Sequence, residues 1–504
     1  MKFFKKNKLY ILAFLVLAIC FFVIRIPSLT IQPIFADEAI YVRWAQIMRA
    51  EPTLRFVSLQ DGKTPLFMWL LMPLFKVFSD PLFASRFLSV IAGFTTFLGV
   101  SAIGWRYLSK TTSLMAAFLI TFTPMIVFFD RMALVDSMLV SFSVWSLFLG
   151  LLLIEKARLD VAMILGFVLG GGMLTKTSGL FSILTVPVTF LTLKRLGVKR
   201  QQWVKTAGLF LIAIIIALGI YNFLLRLGPG FENLSSRNGD YLHSPSRLLQ
   251  YPFDPFKPHL NDLVDWFPKL LTWPILGLLA LSLGVWVWVW RRNSIITAIF
   301  LWGLLPLLAQ MFLLKTFTAR YILFSIPPAL MMAAWGFDEI TRKLSGRIKR
   351  VISIGVPIVI LFSALIFIQA ILTDPEKAAL PREERQGYLE DWTAGYGLRE
   401  IADYLKSEAI KTPIVVGTEG TFGTLPDGLW IYLDKTPNIF MKPGGSTISA
   451  ELRATAKEHP TFFVANRSRI QKDPAGTELL LEFPKAEWAG KRDAMLLFKV
   501  EVEQ

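Results

Sequence analysis

Asp37 and Glu38 stand side by side directly after the first apolar stretch of a chain that is otherwise mostly apolar. Carboxylates at a lipid boundary are costly unless they are put to use, so the pair is the first candidate for taking a proton from a substrate hydroxyl. One acid would suffice to cap the amphipathic helix expected from Glu38 to Arg49, and capping alone does not ask for two. Three further clusters share this charged character. In Asp61-Gly62-Lys63-Thr64-Pro65 a turn enters a helix whose first turn suits Pro65, and Lys63 near that N-terminus would help hold an anion; the plain alternative is a solvated turn with a snorkelling lysine. In Asp130-Arg131-Met132-Ala133-Leu134-Val135-Asp136, the second acid lies inside a helix that must bury, so it needs a counter-charge, for which Arg131 is the candidate; a purely structural pair is the alternative. Thr175-Lys176-Thr177-Ser178-Gly179 breaks two short apolar segments after three glycines, the pattern of a site within the membrane region or of a simple hairpin. Lys315 and Arg320 add positive charge near the ends of two later spans. Together these residues offer a base and several cations, which suits displacement of a phosphate leaving group.

The elements that must position them are set by composition. The chain has 504 residues, 54% of them hydrophobic, with 42 Phe and 15 Trp, which identifies a polytopic membrane protein rather than a soluble one. Its net charge of +16 falls in short clusters between apolar spans, a membrane-orienting pattern, so nucleic acid is not expected as a partner. Cys20 is the lone cysteine and allows no disulfide framework; it sits in an apolar run that continues past it, so an uncleaved first helix is expected. About eleven stretches between residues 9 and 372 are long enough, or nearly so, to cross a bilayer, among them 112–129, 268–290 and 319–341. Basic clusters at alternate ends, such as Lys2, Lys5, Lys6 and Lys8, or Arg291 and Arg292, place the N-terminus in the cytoplasm. Segment 64–78 breaks this register if counted as a crossing and is read as juxtamembrane or re-entrant. Outer loops 28–81 and 227–267 then share one face with residues 374–504, where strand-length apolar runs alternate with helical stretches, as in a small α/β domain. The expected organisation is a membrane domain over 1–373 and an extracytoplasmic α/β domain over 374–504. His243 and His259 in the Pro-rich second loop are weak grounds for a divalent metal, and no cofactor is firmly implied.

Three runs carry a resemblance: FADEAIYVRWAQIM, then KTPLFMWLL, then DRMALVDSMLVSF, in this order over roughly residues 1–340. They resemble the lipid-dependent GT-C glycosyltransferases, family 39-like, which include protein O-mannosyltransferases and bacterial transferases that place aminoarabinose or galacturonic acid on lipid A. The resemblance implies a multi-pass enzyme of the bacterial cytoplasmic membrane that moves a sugar from a polyprenyl phosphate to a glycan, lipid or protein acceptor on the outer face. It implies that Asp37 is the catalytic carboxylate with Glu38 beside it, that Asp136 is the acid of the second hairpin, and that Asp61 and Lys63 form the charged turn. Relatives often carry Glu-Lys-Pro-Pro where this chain has Gly62-Lys63-Thr64-Pro65. Lys63, Arg131, Lys176, Lys315 and Arg320 are the candidates for holding phosphate. The stretch GLREIADYLKSEAIKTPIVVGTEGTFGTLPDGLWIYL resembles the outer α/β domain of bacterial members, whose role the resemblance leaves open. Two other classes fit the same chain: a flippase or transporter for lipid-linked sugar, and an enzyme of this architecture that transfers a whole oligosaccharide.

Overall fold

The computed structural model describes residues 2–502 except 252 and 291–292, so the Arg291–Arg292 cluster lies outside the described residues, as do the side chains of Lys2, Lys5 and Lys6. Among the described residues five helices are long and apolar enough to cross a membrane: Pro81–Leu108, Val135–Lys156, Arg200–Leu225, Ser294–Leu313 and Gly346–Thr373. Two bent pairs raise the number to seven, and Asn7–Val23, Leu66–Lys76, Leu159–Thr175 and Thr177–Thr192 are shorter apolar helices. The protein is thus a multi-pass helical membrane protein, while the expected count of about eleven crossings is not established by these lengths.

The bends have local causes. The stretch 112–129 is Lys110–Phe122 followed by Pro124–Asp130 at 60°. Pro124 supplies no N–H to the turn before it, and Thr123 is extended at ψ 121, as a residue preceding proline prefers. The stretch expected to cross over 268–290 begins instead at Trp273; before it the amphipathic helix Phe256–Leu270 lies at 116°, separated by Thr272 at φ 70 and followed by Pro274. Loop 227–267 accordingly contains helical pieces, Asn233–Tyr241 and Pro245–Gln250 among them. Segment 64–78 forms the short helix Leu66–Leu71 running into a 3-10 turn, in keeping with a juxtamembrane or re-entrant piece.

Small residues bring the spans together. A Cβ on Gly166 would lie 2.9 Å from the Ala213 carbonyl oxygen, and one on Gly170 would lie 3.1 Å from Ile220 Cδ1, so these two glycines let Leu159–Thr175 pack directly on Trp203–Leu225. That packing fixes the height at which Lys176, next in sequence, leaves its helix.

Beyond Thr373 the chain forms a five-stranded sheet. After the two-residue strands β1 (Ile34–Phe35) and β2 (Ala394–Gly395), which pair antiparallel with each other, come β3 (Ile414–Glu419), β4 (Ile439–Gly444), β5 (Thr461–Asn466), β6 (Thr477–Pro484) and β7 (Ala494–Val500). Their order is β4-β3-β5-β7-β6, with β3 parallel to both its neighbours and the β7 pairings antiparallel. β3 and β5 are buried throughout, as central parallel strands covered on both faces are. The expected α/β region is therefore present, and through β1 and β2 it is stitched to the first loop of the membrane region.

Candidate active site

The helix Ala36–Ala50 opens with Asp37 and Glu38 in its first turn, where negative charge opposes the positive end of the helix dipole. A helix turns by about 100° per residue, so the two neighbours point in different directions. Asp37 faces a cavity of about 640 Å³. Lys63 Nζ donates to Asp37 Oδ1 at 3.1 Å and Arg320 Nη1 to Oδ2 at 2.6 Å. Burial alone would raise the Asp37 pKa, but the charges and hydrogen bonds of Lys63 and Arg320 outweigh it and hold the carboxyl well below the usual range.

Lys63 reaches Asp37 because the preceding turn closes on Gly62 at φ 63, in the left-handed region. A Cβ there would also come within 2.5 Å of Arg237 Cβ, so this packing requires a glycine. Lys63 is 3.4 Å from Asp61, and Arg237 approaches the same acid at 3.8 Å; Asp61 itself does not line the cavity but joins the two cations that do. Asp136, also lining the cavity, accepts from Lys176 Nζ at 2.7 Å, and the ammonium lies 4.3 Å from the ring centre of Tyr321. Asp37, Lys63, Asp136, Lys176 and Arg320 thus meet around one cavity, although they come from five separate segments.

Glu38 does not reach it. Its side chain is fully buried and paired with Arg86, whose Nε and Nη2 donate at 2.8 and 2.7 Å. It also accepts from the backbone N–H of Phe35 at 2.9 Å and of Ala133 at 2.6 Å, tying the start of the Asp37 helix to the segment leading to Asp136. The expected pairing of Asp136 with Arg131 is corrected. Arg131 lies before the helix that starts at Val135, and its guanidinium donates to the carbonyls of Arg25, Pro27 and Ser28, while Asp130 pairs with a buried Arg25 at 2.8 Å. Lys315 donates to the Gly239 carbonyl at 2.7 Å from an exposed position and does not line the cavity. His259, a weak candidate for a metal ligand, is buried against Phe317 with Nδ1 2.8 Å from the Met311 carbonyl; among the described residues no group of three or more His, Cys, Asp or Glu side chains is gathered to hold a metal.

Several lining residues are not singled out by the sequence. Arg237 and Tyr41 sit beside Lys63, and the C-terminal region contributes Trp392, Thr393, Phe422 and Gly423. The Ala36 N–H donates to the Thr393 carbonyl at 3.0 Å, one residue from Asp37. Glu384, buried, accepts from the Ala319 N–H at 2.7 Å, one residue from Arg320; burial pushes its carboxyl up to about 7, with the Ala319 N–H and Arg320 opposing. Both halves of the Asp37–Arg320 pair are therefore held in place from the C-terminal region.

The profile of the family described as dolichyl-phosphate-mannose-protein mannosyltransferase matches residues 62–222, which contain Lys63, Asp136 and Lys176. No curated protein matches the chain. Two solved structures share its fold: ArnT from Cupriavidus metallidurans in the apo state, with a TM-score of 0.57 at 13% identity over 98% of each chain, and the same protein bound to undecaprenyl phosphate, with a TM-score of 0.58 at 12% identity over 97% of this chain and 98% of that one. The family segment and the shared whole-chain fold agree with the resemblance carried by the three sequence runs.

Proposed function

We propose that the protein is an inverting glycosyltransferase that moves a sugar from a polyprenyl-phosphate donor to an acceptor on the outer face of the bacterial cytoplasmic membrane, with residues 374–504 outside. The observation that carries this reading is a single carboxylate, Asp37, gripped by two cations at the edge of a cavity large enough for a sugar phosphate. The undecaprenyl phosphate in one structure of the same fold supports a lipid-linked donor.

In the reaction an acceptor hydroxyl oxygen attacks the anomeric carbon, the bond from that carbon to the phosphate oxygen breaks, and its electron pair leaves with the polyprenyl phosphate. The hydroxyl proton passes to Asp37. With Lys63 and Arg320 both bound to it, Asp37 is ionised but weakly basic. An arriving phosphate competes for the same two cations, and as they turn to it the carboxylate regains its affinity for a proton when a base is needed. Lys63, Arg320, Lys176 and Arg237 are the groups that neutralise the departing phosphate, and Asp136 holds Lys176 at the cavity. Arg131 and Lys315 are left out of this role because the former is spent on backbone carbonyls and the latter lies away from the cavity.

A flippase would need charged groups distributed along a path through the bilayer, whereas here they gather around one cavity. The test is transfer of radiolabelled sugar from polyprenyl-phosphate donors in membranes holding the wild type or Asp37→Asn, following product and released polyprenyl phosphate. Transfer by the wild type, reduced about 10²–10⁴-fold in the variant, is expected. Near wild-type transfer by Asp37→Asn would remove the carboxylate from the mechanism, and labelled lipid crossing the bilayer without transfer would favour the flippase.

A further inference from the structure

A second cavity, of about 400 Å³, lies at the other end of the helix that begins with Asp37. It is bounded by Gln46 and Arg49 from the last turns of that helix, by Phe75, Phe78 and Asp80 where the juxtamembrane hairpin ends, and by the C-terminal region. Arg49 is twelve residues from Asp37, about 18 Å along the helix axis, so this cavity is separate from the charged one described above.

Its charges are unequal. Of the acids lining it, Asp80 pairs with Arg399, Asp403 with Lys406, and Asp434 with Arg43, which stands outside the lining. Arg49 and Lys435 also line it, and neither makes an ion pair among the described residues. The lining itself has four cations against three acids, and because Arg43 from outside it satisfies Asp434, Arg49 and Lys435 are the two cations left without an acid. Lys435 is held there in the left-handed region at φ 61, a conformation unfavourable for a lysine. The wall formed by Phe75 and Phe78 is apolar, and Val77 between them is 72% exposed, as is suitable where a hairpin meets acyl chains rather than water.

We propose that this cavity binds the phosphate of an anionic phospholipid headgroup, with Arg49 and Lys435 holding the phosphate and the Phe75 and Phe78 side facing the glycerol and upper acyl region. Phosphate is the anion that paired cations of this kind recognise, and the adjoining apolar hairpin selects a lipid as its source. The site ties the C-terminal region to the bilayer surface independently of the reaction assigned to the larger cavity.

The test uses the full chain in nanodiscs of phosphatidylcholine containing a photo-crosslinking phosphatidylglycerol analogue, with adducts mapped by peptide mass spectrometry. Adducts within residues 75–81 and 399–406 are expected, reduced about tenfold in an Arg49→Gln/Lys435→Gln variant whose thermal midpoint matches the wild type; Lys435→Gln alone, at an exposed position, serves if the double variant does not fold. Equal labelling in the variant, or labelling confined to other segments, would overturn the proposal. Suppression by millimolar inorganic phosphate would overturn the lipid as its source and leave a free-phosphate site.

Discussion

Two sets of ion pairs lie within a few residues of each other in sequence and behave as opposites. Asp37 with Lys63 and Arg320, and Asp136 with Lys176, border a cavity, and the Asp37 side chain is 19% exposed. Glu38 with Arg86, and Asp130 with Arg25, are sealed in protein, with both partners of the first pair at 0% exposure. The chemical groups are the same; what differs is whether a substrate can take one partner's place. A sealed pair fixes where backbone segments run, as Glu38 and Arg86 do with every oxygen and N–H engaged, and an open pair can trade one ion for another. In the proposed mechanism, catalytic capacity belongs to the pairs that are free to exchange.

The comparison can be broken most sharply at the adjacent acids. Asp37→Asn is expected to lose transfer by orders of magnitude while keeping its thermal midpoint, because it removes a group from an open site. Glu38→Ala leaves Arg86 buried without its carboxylate and is expected to cost roughly 3–5 kcal/mol of stability, seen as lost expression or early unfolding by heat. A stable Glu38→Ala protein would show that the sealed pair is dispensable.

A smaller effect should come with pH at Glu384, which lies between the two sets in character: buried, yet bonded to the N–H of Ala319, the residue before the open pair's Arg320. Its folded carboxyl titrates at about 7 against an ordinary 4.5. The folded chain therefore binds a proton through that window that the unfolded chain has released. The stabilisation this gives is complete below the ordinary value and is lost as pH rises through about 7. Thermal midpoints measured from about pH 5 to pH 8 should fall more steeply for the wild type than for Glu384→Gln, which stays neutral. Equal slopes would assign the pH dependence elsewhere. The smallest change is expected for Lys315→Gln: exposed and outside the cavity, it should alter transfer less than about twofold, and a large loss would return it to the phosphate-binding set.

The five charged residues at the cavity are legible in the sequence because a charge within an apolar chain is too costly to persist without a use, and three of them, Asp37, Lys63 and Asp136, also fall in the runs that carry the family resemblance. Their pairing is not. Arg131 is five residues from Asp136 and reads as its partner, but the helix starts only at Val135, which leaves Arg131 on a preceding turn that wraps around the carbonyls of 25–28. Lys176 is forty residues away and arrives through the packing of Gly166 and Gly170, a tertiary matter. Arg237 is one charge among several in the polar loop 227–267, where nothing local separates it from Glu232 or Asp240, and Trp392 and Phe422 escape notice because nothing local says that a distant region will fold back over the site. The apolar runs do form helical membrane segments, yet proline at 124 and the Thr272 break turn two of them into bent pairs, so run length overstates what crosses in one piece.

The pairing of β1 with β2 has a consequence for biosynthesis. Residues 34–35 emerge from the ribosome long before residues 394–395 that complete their ladder. Until the later strand arrives, the backbone beside Asp37 has open donors and acceptors, and the N–H of Ala36 has not met Thr393. The cavity is thus assembled last, after every membrane segment has been inserted and the C-terminal region has folded, so a nascent or truncated chain lying in the membrane does not yet possess the geometry that would act on its lipids.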